Sequence, residues 1–116
     1  MMPYADARAV ARMFAALGEP TRLKIATHLL AGPSHVGELA EVVGEPMVNV
    51  SHHLGVMRQA GVLEDEKKGR QVFYRFREGV FKAGGDDGMA ATLTFGPYRV
   101  YVRTNAEAPG VKSKKK

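Results

Sequence analysis

The stretch MVNVSHHLGVMRQAGVLEDEKKGRQVFYRF, residues 47–76, changes its hydrophobic period halfway along, and that change decides the fold. In its first half Val50, His53, Leu54 and Met57 recur at the spacing of one helical face, which predicts a helix from near Pro46 to Ala60-Gly61. In its second half Val62 to Lys67 and Gln71 to Phe76 read as two strands. Lys67-Lys68-Gly69-Arg70 joins them as a hairpin, with glycine available for a positive φ. A helix with an apolar stripe turns that stripe to its core. Met47, Val48, Ser51, His52 and Gly55 therefore lie on the opposite side, with Asn49 near the leading end.

Three further helical patterns precede this one. Val10, Met13, Phe14 and Leu17 form a stripe from Tyr4 to Leu17, supported by alanines and ended by Gly18. A second helix starts at Glu19-Pro20 and runs to about Ala31, where Gly32-Pro33 stops it. The third is short, with Val36, Leu39, Ala40 and Val43 on one face and Gly44 closing it. Beyond the hairpin, Gly79, Gly84, Gly85 and Gly88 with Asp86-Asp87 make a long helix over 79–88 improbable, and the Asp pair reads as a turn. Residues 90–103 alternate like strands. Leu93 and Phe95 share one face; after Gly96-Pro97, Tyr98, Val100 and Val102 share one face and Arg99, Tyr101 and Arg103 the other. This is a pair of strands or one strand bent at Gly-Pro.

The expected organisation is a single α+β domain over 1–103, followed by a disordered Lys-rich tail over 104–116. Its parts are a first helix at 4–17, a helix-turn-helix at 34–61, a wing at 62–77 and a β extension at 90–103. The chain of 116 residues is 45% hydrophobic and 25% charged, enough for one modest core and not for a disordered chain. A domain of this size gains stability from self-association. The absence of cysteine excludes disulfides, thiolate metal sites, iron–sulfur ligation and a cysteine nucleophile. No apolar run approaches ~18 residues, and Met1 to Val10 lacks a basic stretch leading into an apolar one. A cytoplasmic protein without a membrane span is expected.

The net charge of +5 points to nucleic acid only weakly, because Lys112, Lys114, Lys115 and Lys116 supply most of it. Placement says more. Arg58, Lys67, Lys68, Arg70, Arg75 and Arg77 lie in residues 44–78, and three of these cluster at one hairpin tip. A helix that enters a major groove must pack one stripe on its domain and offer the other to base edges. Ser51, His52 and Asn49 carry hydrogen-bonding groups for base edges or phosphates, and Met47 and Val48 suit thymine methyls. Lys67, Lys68 and Arg70 stand where a wing would meet phosphates or the minor groove. His28 is expected in a structural or solvent role, His35 as a neighbour of the third helix's cap or exposed, and His53 in hydrogen-bonded packing. Adjacent His52 and His53 project about 100° apart, a poor chelating pair. No paired-carboxylate cleft, nucleophile elbow or phosphate loop is present, so no enzyme is expected.

Several motifs coincide with one family. Leu17-Gly18-Glu19-Pro20-Thr21-Arg22-Leu23, Val36-Gly37-Glu38-Leu39-Ala40, Val50-Ser51-His52-His53-Leu54, Met57-Arg58-Gln59-Ala60-Gly61-Val62-Leu63 and Lys68-Gly69-Arg70 with Tyr74-Arg75 follow in order across residues 4–77. They resemble the ArsR/SmtB family of bacterial winged-helix transcriptional regulators. The resemblance implies a homodimer on a twofold-symmetric double-stranded DNA operator, most often repressing and often released by an effector. It places the recognition helix at Pro46 to His53, with Ser51 and His52 foremost among DNA contacts and Met47, Val48, Asn49, Arg58, Lys67, Lys68 and Arg70 beside them.

Two departures follow from the same comparison. Family metal sensors use a Cys-containing motif on the third helix, or Asp and His on a long C-terminal helix that also builds the dimer interface. This chain has no cysteine, and glycine-rich and β-like segments stand where that helix would be. No metal site and no cofactor are expected, and the effector is unknown. The dimer interface is expected to form from Val10, Met13, Phe14 and Leu17 with Val100 and Val102. A protein-interaction module built on a winged helix, or an activator with the same DNA-binding mode, remains an alternative.

Overall fold

The computed structural model describes residues 2–84 and 91–103. Four helices come first: α1 (Tyr4–Leu17), α2 (Pro20–Leu29), α3 (Val36–Val43) and α4 (Met47–Gln59). A two-residue strand β1 (Ser34–His35) precedes α3, and the hairpin β2 (Leu63–Lys68) and β3 (Gln71–Phe76) follows α4. The chain then enters β4 (Phe81–Ala83), β5 (Ala91–Phe95) and β6 (Tyr98–Val102). The architecture is an α+β winged helix-turn-helix carrying a second small sheet. The Lys-rich stretch 104–116, expected as a disordered tail, and residues Gly85, Asp86, Asp87 and Gly88, expected as a turn, lie outside the described residues.

Local chemistry sets most boundaries. Pro20 opens α2 behind Glu19, whose carboxylate accepts the Arg22 backbone N–H at 2.9 Å. α2 stops at Leu29 rather than Ala31, with Leu30 as its C-cap, because the chain must turn at Gly32 and become extended before Pro33. The first strand of the hairpin starts at Leu63 rather than Val62, since the Val62 N–H still bonds the Met57 carbonyl at 3.0 Å and belongs to the end of α4. Lys68 pairs with Gln71, so Gly69 and Arg70 form a two-residue turn, and Gly69 takes the φ of 64° that such turns demand.

Two antiparallel sheets result. The order β1-β3-β2 makes the wing sheet, with Ser34 opposite Tyr74 and His35 opposite Phe73. The order β4-β5-β6 makes the C-terminal sheet, with Leu93 opposite both Phe81 and Val100. Residues 91–102 are thus two strands folded at Gly96-Pro97, not one bent strand. Ala91, Leu93 and Phe95 turn inward and are buried, and Leu93 and Phe95 join the core formed by Ile25, Leu29, Leu39, Val50, Leu54, Met57, Val62 and Leu63. Phe14 of α1 meets the Phe95 ring edge-on at 5.0 Å and the Tyr98 ring at 5.8 Å, which docks the C-terminal sheet on the first helix.

The contact is tightest at Gly96, where φ is 60° and a Cβ would lie 2.6 Å from Val10 Cγ2. Gly96→Ala is expected to cost about 1–3 kcal/mol in urea denaturation through overpacking and a disfavoured φ. Combined with Val10→Ala it should cost less than the two single losses together, because the clash has been removed. Strict additivity would show that Val10 is not what the glycine accommodates.

Candidate nucleic-acid interface

Helix α4 is divided sharply between its faces. Val50, Leu54 and Met57 are 0% exposed, each worth about 1.5–3 kcal/mol of apolar burial. The other face carries Met47 and Val48, 55% and 76% exposed, together with exposed Asn49, Ser51, His52 and Arg58. An exposed Val and Met at the leading end of a helix gain nothing for stability. Asn49 Nδ2 donates to Glu45 Oε1 at 3.3 Å, one turn back, and Pro46 gives the helix no side-chain cap.

The hairpin stands against this face. A cleft of about 310 Å³ is lined by His35, Met47, Ser51, Arg70, Gln71 and Val72. It brings Met47, Ser51 and Arg70, distant in sequence, onto one surface. The short α3 fixes this geometry from behind. His35 Nδ1 accepts the Glu38 N–H at 3.3 Å as the α3 N-cap, and its ring packs edge-on against Phe73 of β3 at 5.4 Å. His35, expected beside the α3 cap or exposed, is the cap itself and ties α3 to the wing.

Charge on the wing is sorted by position. Arg75 is held by Glu64 at 2.9 Å and Glu66 at 2.7 Å, which raise its pKa, Glu66 first. Arg58 lies 3.8 Å from Asp65. Lys67, Lys68 and Arg70 at the tip are exposed, and none has a carboxylate within 4.0 Å among the described residues. Lys68 rests its ammonium 5.6 Å from the Phe73 ring centroid. The base of the hairpin is neutralised and its tip is free to meet anions.

Behind α4 lies a polar cluster that gives His53 the hydrogen-bonded packing expected of it, through a partner the sequence does not announce. Arg22 Nη1 bonds His53 Nδ1 at 3.1 Å, while Nε donates to the Ala16 carbonyl at 2.8 Å and Nη2 to the Ala15 carbonyl at 3.4 Å. Arginine has only donors, so His53 accepts through Nδ1. The Glu19 carboxylate lies 3.8 Å from the same nitrogen. The Arg in Glu19-Pro20-Thr21-Arg22 gave no period or pairing signal; only the fold brings it to α4. His28 Nε2 lies 3.2 Å from Glu38 Oε2, and among the described residues no three His, Asp or Glu side chains gather as a metal would need.

The residues expected to build a dimer differ in how much surface they keep. Val10 is enclosed, 8% exposed, beneath Gly96. Met13 and Leu17 are half-buried, and Phe14 is 40% exposed although it packs on Phe95. Val100 and Val102 are half-buried and line a cavity of about 150 Å³ with Leu17, Leu23 and Leu30. No helix among the described residues is long and apolar enough to cross a membrane.

Comparison with known proteins agrees with this fold. A helix-turn-helix domain family matches residues 17–66. The biofilm growth-associated repressor of Xylella fastidiosa is 36% identical over 72 residues, which span 62% of this chain and 63% of the relative. The transcriptional repressor SdpR of Bacillus subtilis is 37% identical over 62 residues, 53% of this chain and 69% of SdpR. Among solved structures, the homodimeric winged helix-turn-helix DNA-binding domain Mb0332 of Mycobacterium bovis, described as a possible ArsR-family transcriptional regulator, superposes with a TM-score of 0.61. It is 29% identical and covers 63% of this chain and 68% of its own. The match to the domain family ends at residue 66, so the whole C-terminal sheet lies beyond it.

Two carboxylates in these networks give a pH signature. Glu19 is held below 4.5 chiefly by the Arg22 backbone N–H, and Glu66 chiefly by Arg75, with Lys68 adding to it. Both folded pKa values are depressed, so their contribution is complete above 4.5 and is lost as pH falls through the lowered values. In an acid titration followed by circular dichroism, a Glu19→Gln/Glu66→Gln variant should lose less stability than the parent below that pH. Parallel curves would remove both groups from the acid response.

Proposed function

The chain belongs to the ArsR/SmtB family of winged helix-turn-helix transcriptional regulators, and from that premise we propose that it binds double-stranded DNA sequence-specifically as a homodimeric repressor. The observation that carries the reading is the cleft where Met47 and Ser51 of α4 meet Arg70 of the wing on one exposed, cation-bearing surface. In the proposed complex α4 lies in the major groove, with Met47, Val48, Asn49, Ser51 and His52 toward the bases and Arg58 toward the backbone. Lys67, Lys68 and Arg70 take phosphates or the adjoining minor groove. Two copies related by a twofold axis set their α4 helices about 34 Å apart, in successive major grooves of a symmetric operator.

The reading gives this chain a regulatory role in the cytoplasm rather than a catalytic one. It assigns no resident metal or cofactor, and the cysteine-free sequence supports a regulator that does not sense through thiols. Met13, Phe14, Leu17, Val100 and Val102 retain surface on the face that a second copy would cover. The names of the two curated relatives, both repressors, support repression over activation.

Selection from random double-stranded oligonucleotides by the purified chain tests the reading directly. A palindromic consensus is expected; recovery of no site would favour the protein-interaction module instead. On the selected site, Ser51→Ala or His52→Ala should weaken binding by about 1–3 kcal/mol and relax discrimination at the bases concerned. Lys68→Ala or Arg70→Ala should weaken binding to all sequences and flatten the salt slope by about one each. If all four titrate like the parent, α4 and the wing tip do not form the DNA surface.

A further inference from the structure

We propose that two copies of this chain join edge to edge through β6, antiparallel and centred on Val100, so that each C-terminal sheet continues into the other. The inference rests on the homodimer reading above and specifies the surface that the reading leaves open. Among the described residues β6 pairs only with β5, and its outer edge carries no strand. The opposite edge of the sheet is β4, three residues long with exposed Lys82, a form that discourages further pairing. The β6 edge has five residues and only one charge, Arg99, within them.

Backbone stereochemistry selects the register. Phe95 pairs with Tyr98 around the two-residue Gly96-Pro97 turn, so Tyr98, Val100 and Val102 direct their amide groups to β5. The Thr94 N–H bonds the Val80 carbonyl at 2.7 Å, away from β6, as this alternation requires. Arg99 and Tyr101 therefore present their N–H and C=O groups to the open edge. A twofold axis normal to the sheet keeps like faces together, so it must pass through a residue of β6 and not between two. Centring on Arg99 sets two arginines opposite each other and brings Pro97, which has no N–H, against Tyr101. Centring on Tyr101 sets Arg99 opposite Arg103. Of these three central registers, which pair most of the strand, the one on Val100 alone sets no like charges opposite each other, and it places each Arg99 opposite Tyr101 of the second copy. That pair exchanges both backbone hydrogen bonds while the guanidinium meets the phenol ring on the outer face.

The inner face supports the same arrangement. Val100 and Val102 line the apolar cavity with Leu17, Leu23 and Leu30, and Leu23 is still 52% exposed. Tyr98 is 52% and Tyr101 64% exposed. In the proposed register Val100 meets its own copy and Tyr98 meets Val102, both on the side that faces this cavity. A second copy of this chain therefore matches the edge in hydrogen bonding, in charge and in apolar surface at once.

The absence of native cysteine makes the test clean. Directly opposed residues at a non-hydrogen-bonded antiparallel position lie about 4.5 Å apart at Cα, within disulfide reach. Val100→Cys in the full chain should therefore cross-link as a dimer on air oxidation, whereas Arg99→Cys, displaced from its own copy, should not. Tyr101→Pro removes an outward N–H without touching the β5 ladder, and should leave the far-UV circular dichroism spectrum of the folded chain intact while raising the dimer dissociation constant on the order of tenfold or more. A chain that is dimeric by light scattering, with Val100→Cys uncrosslinked and Tyr101→Pro unaffected, overturns the edge pairing and leaves the homodimer standing. A chain that stays monomeric at the concentrations where it binds DNA overturns both.

Discussion

The last carbonyls of a helix have no partner within it, and at the end of α1 one side chain meets them. Arg22 reaches back from the first turn of α2 to the carbonyls of Ala15 and Ala16 and extends its remaining nitrogen to His53 on α4. Three helices are thereby fixed by one planar group whose donors point in set directions. Lysine, with a single flexible ammonium, could not replace it. The Glu19 carboxylate completes the arrangement by capping α2 beside the same histidine. Apolar burial of Val50, Leu54 and Met57 supplies more free energy and sets which side of α4 turns inward. The directional bond to His53 fastens the helix at that angle, on which the proposed DNA surface depends.

The contrast between these two kinds of contact explains what could be read in the sequence. The α4 stripe is periodic, so its buried side was evident from spacing, as were the hairpin strands and the alternation after Gly96. Capping chemistry and glycine marked the helix ends to within a residue or two. What escaped notice has no period. The strand β1 is two residues long and exists because β3 offers Ser34 and His35 an edge. The strand β4 is three residues long and forms only because β5 is there to pair with it. Arg22 and His53 lie far apart in the chain, and nothing in either residue's neighbourhood announces the other. The expected DNA-contacting residues were nameable individually, but the cleft that gathers Met47, Ser51 and Arg70 is a product of tertiary packing.

Charge shows the same limit. A net charge of +5 is a property of the whole chain, and much of it lies in the last residues. Within the wing, the useful quantity is which cations keep a carboxylate and which do not. Glu64 and Glu66 hold Arg75 because strands β2 and β3 place them on one face, with Glu64 directly opposite Arg75 in the ladder. Lys67, Lys68 and Arg70 lie at or beyond the end of that ladder, where no acidic residue stands across from them. The hairpin thus concentrates uncompensated positive charge at its tip and rigidifies its base with the rest. Counterion release scales with the phosphates a protein neutralises, so a few free cations at the tip matter more than a larger bulk charge.

Helix α1 links the two ends of the molecule. Phe14 packs on Phe95 and Tyr98 of the C-terminal sheet, and the next two residues, Ala15 and Ala16, offer their carbonyls to Arg22. One turn of helix therefore separates the sheet from the bond that orients α4. Close packing leaves that turn little freedom: Val10 lies against the Gly96 backbone, with no room between them even for a Cβ. A change in how the sheet sits on α1 must displace Phe14, and Phe14 cannot move without its neighbours' carbonyls. The surface on which two copies are proposed to meet and the surface proposed to read DNA are thus connected through rigid covalent and hydrogen-bonded steps. The contacts from the sheet through Phe14, the Ala15 and Ala16 carbonyls and Arg22 to His53 are contiguous, so the sheet and α4 are packed through one short turn of α1.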